Sequence, residues 1–172
     1  DEEFSKYNNN RIIVTLINNL AIINVYIPNS GCGLVRMKFK EQWMSGFTGL
    51  VDNFTIYGYR TIIAGDVNVV PGPLDIKNYN GNHNKAPGCT DQETSYYNSF
   101  LNNTGLIDIA VELNRRSEYT FFGQFTKRNK AYNAGWRLDH FWISPTISYS
   151  DYEVLKHIDG SDHCPICLTV EI

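Results

Sequence analysis

A chain of 172 residues, 42% hydrophobic and 13% aromatic, can bury the core of one domain, and its net charge of −3 excludes an overall polycation. No apolar run is long enough to span a membrane and no charged-then-apolar leader opens the chain, so a soluble intracellular protein without a membrane partner is expected. Cys32, Cys89, Cys164 and Cys167 show no secreted-type spacing and predict reduced thiols. The start at Asp1, in a polar Asp1-Glu2-Glu3-Phe4-Ser5-Lys6 stretch, suggests a fragment or a processed product.

Residues 11–17 and 20–27 are β-branched runs around Asn18-Asn19, a pair that tolerates positive φ, and predict a hairpin. Over residues 35–54, Met37, Trp43, Phe47, Leu50, Val51 and Phe54 recur at helical spacing despite Gly46 and Gly49. One amphipathic helix follows from this, with Trp43 and Phe47 in the core. Residues 61–64 form a short buried strand that runs into Asp66, and residues 71–90, rich in Pro, Gly and Asn, form a long irregular loop. Thr90-Asp91-Gln92-Glu93 has capping-box spacing and opens a helix to about residue 103, with Gly105 just past its end. Strands are expected at 119–122, 138–144, 153–156 and 166–172. The order is strand-rich with interspersed helices and no repeat or linker, which predicts a single α/β (α+β) domain.

Strand alternation puts Asp66 and Asn68 on one side of a strand end, one able to deprotonate a water and the other to hydrogen-bond an oxyanion. Ser161-Asp162-His163 sets a carboxylate for a hard cation beside an imidazole for a phosphate oxygen. Asp139, at the start of a strand, could fix the tautomer of His163. Each has a plainer alternative: Asp66 as a turn residue, Asp162 and His163 in a polar turn, Asp139 never meeting the histidine. Lys127, Arg128, Lys130 and Arg137, interleaved with Tyr119, Phe121, Phe122, Phe125, Tyr132 and Trp136, suit a nucleic-acid backbone with stacked bases, or equally an exposed basic loop beside a core strand. Cys164-Pro165-Ile166-Cys167 has CxxC spacing, but three positions along a strand point to opposite faces and no second ligand pair exists, which disfavours zinc. His83, His140 and His157 read as surface or strand residues.

Taken in order, Val25-Tyr26-Ile27-Pro28-Asn29, Gly33-Leu34-Val35-Arg36, Gly65-Asp66-Val67-Asn68-Val69, Asp75-Ile76-Lys77-Asn78, Gly105-Leu106-Ile107-Asp108, Tyr119-Thr120-Phe121-Phe122, Gly135-Trp136-Arg137-Leu138-Asp139 and Gly160-Ser161-Asp162-His163-Cys164-Pro165-Ile166 resemble the exonuclease III and apurinic/apyrimidinic endonuclease family, nearest its eukaryotic-type members. The resemblance implies a four-layer α/β sandwich of two packed mixed sheets flanked by helices. Residues 1–172 would be the C-terminal portion of that single endonuclease/exonuclease/phosphatase domain, with its N-terminal portion missing. It also implies roles: Tyr26 and Asn29 at the scissile phosphate, Asp66 activating water, Asn68 stabilising the transition state, and His163, oriented by Asp139, neutralising the phosphate. Asp66, Asn68, Asp162 and His163 would form the metal side of the site, with Asp162 holding Mg2+ (Mn2+ in its place). Asn78, Asn82 and Asn84 would lie near DNA, while Phe121, Trp136 and Leu138 would accept a baseless deoxyribose and exclude normal nucleotides by shape.

The implied activity is Mg-dependent hydrolysis of double-stranded DNA 5′ to an abasic site, with 3′-5′ exonuclease or 3′-phosphodiesterase activity beside it. A monomer is implied as well, acting in the nucleus if the source is eukaryotic, with the mitochondrion or a bacterial cytoplasm as the alternatives. The chain departs from the pattern in lacking the family's upstream Asn and Glu, and Asp162 alone is a poor magnesium site, so the chain as given is expected to be inactive. Cys32 stands where relatives carry a basic residue, Phe122 replaces a tryptophan, and an insertion falls between Phe125 and Trp136. Phosphoinositide phosphatases, sphingomyelinases and deadenylases share the acid-Asn pair and Ser-Asp-His corner, but segments 136–139 and 25–36 argue against them. A noncatalytic nucleic-acid-binding relative is the alternative from another class.

Overall fold

In a computed structural model, residues 10–123 and 126–171 are described. The opening Asp1 to Lys6 stretch, Phe125 and Ile172 lie outside them. β1 (Ile12–Ile17) and β2 (Leu20–Tyr26) form the predicted hairpin, closed at Asn18, whose φ of 53° is the left-handed conformation a two-residue turn demands. After a 3-10 turn at Cys32–Leu34 comes α1 (Met37–Ile56), then β3 (Arg60–Asp66). The helix begins two residues later than its periodicity suggests, at Met37, because Arg36 stands before it as the N-cap with non-helical φ −105° and ψ 13°.

The loop over 71–90 is partly ordered, with a 3-10 turn at Pro73–Asp75 and a single helical turn, α2 (Tyr79–Asn82), capped by the Asn78 side chain accepting from Gly81 N–H. α3 (Asp91–Thr104) carries both predicted caps: the Thr90 hydroxyl accepts from Glu93 N–H, and Gly105 closes the helix at φ 67°. β4 (Ile107–Asp108), α4 (Ile109–Glu112), α5 (Thr126–Ala131), β5 (Asp139–Ile143), β6 (Ser148–Val154) and β7 (Ile166–Glu171) complete the order. Residues 119–122 are not a strand. Phe121 makes single bridges to Trp136 and to His163, because this segment crosses between two others instead of running along either. The strand expected at 153–156 instead spans Ser148–Val154, with Tyr152 and Val154 turned inward.

Five strands form one sheet in the order β1-β2-β3-β5-β4, mixed because only β2 and β3 run parallel, while β6 and β7 form an antiparallel ribbon. Of the two expected mixed sheets, one is thus mixed; the other, among the described residues, is a two-stranded ribbon. Period-2 alternation sorts the sheet's two faces. Ile23, Val25, Ile63 and Trp142 pack on one side against Trp43, Phe47 and Val51 of α1 and Tyr97 and Phe100 of α3. Leu20, Ile62 and Ile143 pack on the other against Tyr152, Val154 and Cys164 on the ribbon side. Layers of helix, mixed sheet and ribbon follow. No helix among the described residues is long and apolar enough to cross a membrane.

Candidate active site

The site forms where β3 and β5 end side by side. Asp66 is the last residue of β3 and pairs in register with Asp139, the first of β5, which sets two carboxylates opposite each other on the ribbon-facing side. The preceding residue must be glycine: Gly65 sits at φ 143°, and a Cβ there would lie 2.0 Å from the Val25 carbonyl oxygen on the parallel neighbour.

Asn68 shares a side with Asp66, though not by strand alternation, since β3 has already ended. It is brought back by a left-handed backbone, φ 51°, so that its N–H donates to Asp66 Oδ1 at 2.9 Å and its Nδ2 to Oδ2 at 3.0 Å. The same Nδ2 donates to the Ile27 carbonyl at 2.9 Å, and Asn29 Nδ2 donates to Asn68 Oδ1 at 2.9 Å. Both amide hydrogens of Asn68 are therefore committed to holding Asp66 and the strand behind it. Asn29 is itself fixed by Gly31 N–H donating to its Oδ1. Beneath lies a feature the sequence did not signal: Lys40, fully buried on α1, donates from Nζ to the Asn68 carbonyl at 2.7 Å and to Glu93 at 2.8 Å.

Asp139 and His163 do meet. Their Oδ2 and Nδ1 atoms are 2.7 Å apart, with side chains 14% and 28% exposed. The corner is pinned by main-chain bonds, Cys164 N–H to Thr120 O and Phe122 N–H to Asp162 O, and the Phe121 ring tilts against the imidazole with centroids 4.9 Å apart. Asp139, His163, Ser161 and Gly160 line one wall of a cavity of about 450 Å³.

Burial, and then the facing charge of Asp139, push the Asp66 carboxyl up to about 6, with His163 pulling the other way. Burial would lower the His163 imidazole, but the hydrogen bond and charge of Asp139, with Asp66 and Asp162 nearby, raise it above its ordinary value. A base whose proton affinity lies near neutrality thus faces an imidazole biased toward its cation, an arrangement suited to moving a proton beside an anion.

Phe121, Trp136 and Leu138 fall in one apolar cluster with Val70, Ile76 and Cys89. Tyr26 pairs in register with Asp66, is 49% exposed, and lies under the Arg11 guanidinium at 4.7 Å. Asn78 caps α2 and Asn82 ends it, the Asn82 side chain donating to the Asn78 carbonyl. Asn84 is consumed instead by a clamp on Asp91, with which it exchanges two hydrogen bonds.

Several expectations need correction. Arg137 is wholly buried and grips Asp75 and Asp108, so it is unavailable to a nucleic-acid backbone. Lys130 turns inward to the Lys156 and Ile158 carbonyls, and Tyr119 and Phe122 belong to the core, which leaves Lys127, Arg128 and Tyr132 exposed on this segment. Of the two readings offered for His140, surface or strand, the strand one holds: it lies on β5, buried against Asp108 at 2.8 Å. The metal-side residues do not converge on one ion. Asp66 and Asn68 satisfy each other, His163 Nδ1 faces Asp139, Asp162 points into solvent, and among the described residues no three of His, Cys, Asp or Glu could share a metal. A near-octahedral ion would not find its shell in these donors. All four cysteines are free thiols; Cys164 is buried and precedes β7, and Cys167 is exposed on it.

The chain is 32% identical over 176 residues to the recombination repair protein 1 of Drosophila melanogaster, covering all of this chain and 25% of that protein. It is 32% identical to a DNA-(apurinic or apyrimidinic site) endonuclease of Dictyostelium discoideum, covering 96% of this chain and 46% of that one, and 30% identical to an exodeoxyribonuclease of Bacillus subtilis, covering 94% and 64%. This chain therefore spans between a quarter and two thirds of these relatives' lengths. An AP endonuclease of Archaeoglobus fulgidus superposes with a TM-score of 0.80 at 23% identity, over 94% of this chain and 65% of that one. An AP endonuclease of Leishmania major superposes at 0.81 and 22%, over 94% and 55%, and both share the fold. A family model matches residues 15–163, from β1 through the Asp162-His163 corner, and the chain belongs to the Endonuclease/Exonuclease/phosphatase family.

Proposed function

We propose that the protein carrying this chain hydrolyses double-stranded DNA 5′ to abasic sites, acting as a monomer in nucleus or mitochondrion, with 3′-5′ exonuclease activity as a subsidiary reaction at the same site. The observation that carries this is the Asp66–Asn68 pair facing Asp139–His163, with the Phe121, Trp136 and Leu138 cluster beside it. Asp66, its proton affinity raised toward neutrality, takes the proton of the attacking water. Asp139 holds the Nδ1–H of His163, so that the Nε2 side is free to donate to a phosphoryl oxygen as charge builds there. Asn68 and Asn29 keep Asp66 in line. Tyr26, Asn78 and Asn82 contact the backbone phosphates, and the three apolar side chains receive a sugar whose missing base leaves room for them.

Asp162 offers a carboxylate to a divalent ion, magnesium with manganese as its substitute, that would offset charge on the phosphate. Because the donors among the described residues do not complete that ion's shell, the 172-residue chain alone is expected to be inactive. The test is incision of a duplex with one abasic-site analogue, with and without magnesium, by this chain and by a longer form spanning its relatives' length. Magnesium-dependent cleavage 5′ to the lesion by the longer form, abolished by Asp66→Asn, is expected. Failure of the longer form to cut, or equal cutting of intact duplex, refutes the proposed function, and robust activity of the 172-residue chain refutes the incomplete-shell reasoning.

A further inference from the structure

Behind the catalytic corner lies a buried ion pair with no contact to the cleft. Lys40 and Glu93, from α1 and α3, meet at 2.8 Å with both side chains 0% exposed. A charge taken this far from water is costly unless every donor and acceptor around it is used. Here the carboxylate is saturated. Glu93 Oε1 accepts from Lys40 Nζ and from Ser30 Oγ at 2.9 Å, and Oε2 accepts from Gly88 N–H at 2.8 Å and Thr90 Oγ1 at 2.9 Å.

The groups so gathered are not a random sample of the core. Ser30 follows Asn29, which holds the Asn68 side chain. Gly88 lies against the Asn68 carbonyl, where a Cβ would approach within 3.1 Å, and its own carbonyl accepts from Val70 N–H. Lys40 spends its remaining reach on the Asn68 carbonyl itself. Asn68 uses that hold: asparagine enters the left-handed region more readily than other non-glycine residues, but the β region stays open to it, so the bonds around it decide which conformation it keeps. If Asn68 relaxes to the ordinary β region, its N–H and Nδ2 swing away from the two oxygens of Asp66.

We propose that Lys40 and Glu93 are a positioning pair, which locks Asn68 in its left-handed conformation and through it fixes the orientation of the Asp66 carboxylate for the reaction. The pair touches neither substrate nor reacting atoms. A core ion pair that only stabilised the fold would have no reason to direct its lysine to the carbonyl of Asn68, the left-handed residue whose N–H and Nδ2 hold the base. As an inference about catalysis it rests on the function proposed above.

The test uses the longer form, with Lys40→Met, Lys40→Arg and Glu93→Gln, each confirmed as folded by its circular dichroism spectrum. Misplacement of a catalytic group by about an ångström costs on the order of 100-fold, so Lys40→Met should lower kcat by that order with KM little changed, and Lys40→Arg, which keeps a buried donor, should recover most of the loss. In parallel, hydrogen exchange of the Asn68 backbone amide, protected by Asp66 in the native protein, should accelerate in Lys40→Met and Glu93→Gln but not in Lys40→Arg. Should Lys40→Met fail to fold, Glu93→Gln, which keeps the side chain's shape, carries both measurements. A folded variant with native kcat, or a loss confined to KM, overturns the proposal, as does unchanged protection of the Asn68 amide. The exchange result decides the locking of Asn68 even if the native protein does not cut abasic DNA, an outcome that would refute the proposed function alone.

Discussion

Replacing Arg137 by methionine separates a core role from a DNA-contact role. The guanidinium is fully buried, with Nε 2.7 Å from Asp75 Oδ1 and Nη1 3.0 and 2.9 Å from the two oxygens of Asp108. Methionine keeps much of the volume and removes the charge from between two buried carboxylates. Breaking a buried pair from one side costs about 3–5 kcal/mol, since the abandoned ion stays buried. Here the loss should fall toward the lower figure, because Asp75 keeps Arg116 and Asp108 keeps the Tyr97 hydroxyl at 2.8 Å, Ala110 N–H at 3.0 Å and His140. With a urea dependence of about 2 kcal/mol per molar, a loss of about 3 kcal/mol moves the unfolding midpoint down by about 1.5 M. The assay is urea unfolding followed by circular dichroism, with exposed Lys127→Met as control, expected within about 0.5 kcal/mol of the native protein. The idea fails if Arg137→Met unfolds with the control and instead flattens the salt dependence of DNA binding, for then the guanidinium faces the nucleic acid.

Acid should expose the same network from its other side. The Asp108 carboxyl is held well below the usual carboxylate range: burial alone would raise it, but the charges and hydrogen bonds of Arg137 and His140 prevail. A depressed folded value stabilises the protein above the unfolded value of about 3.9 and loses that contribution as pH falls below it, so stability measured from pH 6 to pH 2 should fall steeply at the acid end, and Asp108→Asn, though less stable at pH 6, should fall less. A variant that keeps the native acid slope sinks this account. Gly65→Ala should cost more than about 4 kcal/mol or abolish folding, since its Cβ would overlap a strand carbonyl, whereas Gly49→Ala meets nothing within 4 Å and should be neutral or stabilising in its helix; equal thermal midpoints would contradict the register. Asp139→Asn keeps an acceptor oxygen but removes the carboxylate charge that helps raise the His163 imidazole, so an NMR titration should find that histidine titrating at lower pH than in the native protein, and an unchanged titration would mean that the two side chains do not pair in solution.

What the sequence alone determined is what short-range rules encode. Asn18-Asn19 announces its turn because few residues tolerate positive φ, Trp43, Phe47 and Val51 announce a buried helix face by spacing, and Thr90 with Gly105 bounds α3 because each supplies what a helix end lacks. The motifs around Asp66, Asp139 and His163 were legible as well, though not their meeting. Only the tertiary structure decided that Asp66 stands opposite Asp139, that His163 reaches across 24 positions to that same carboxylate, and that Asn68 returns to Asp66 through a left-handed turn. It also decided that Arg137 and Lys40, charged residues that composition assigns to a surface, are core residues. The physical reason is common to all of these. Strand register and the burial of a charge depend on partners far along the chain, and a lysine carries no local sign that a glutamate 53 residues away will meet it in the dark of the core.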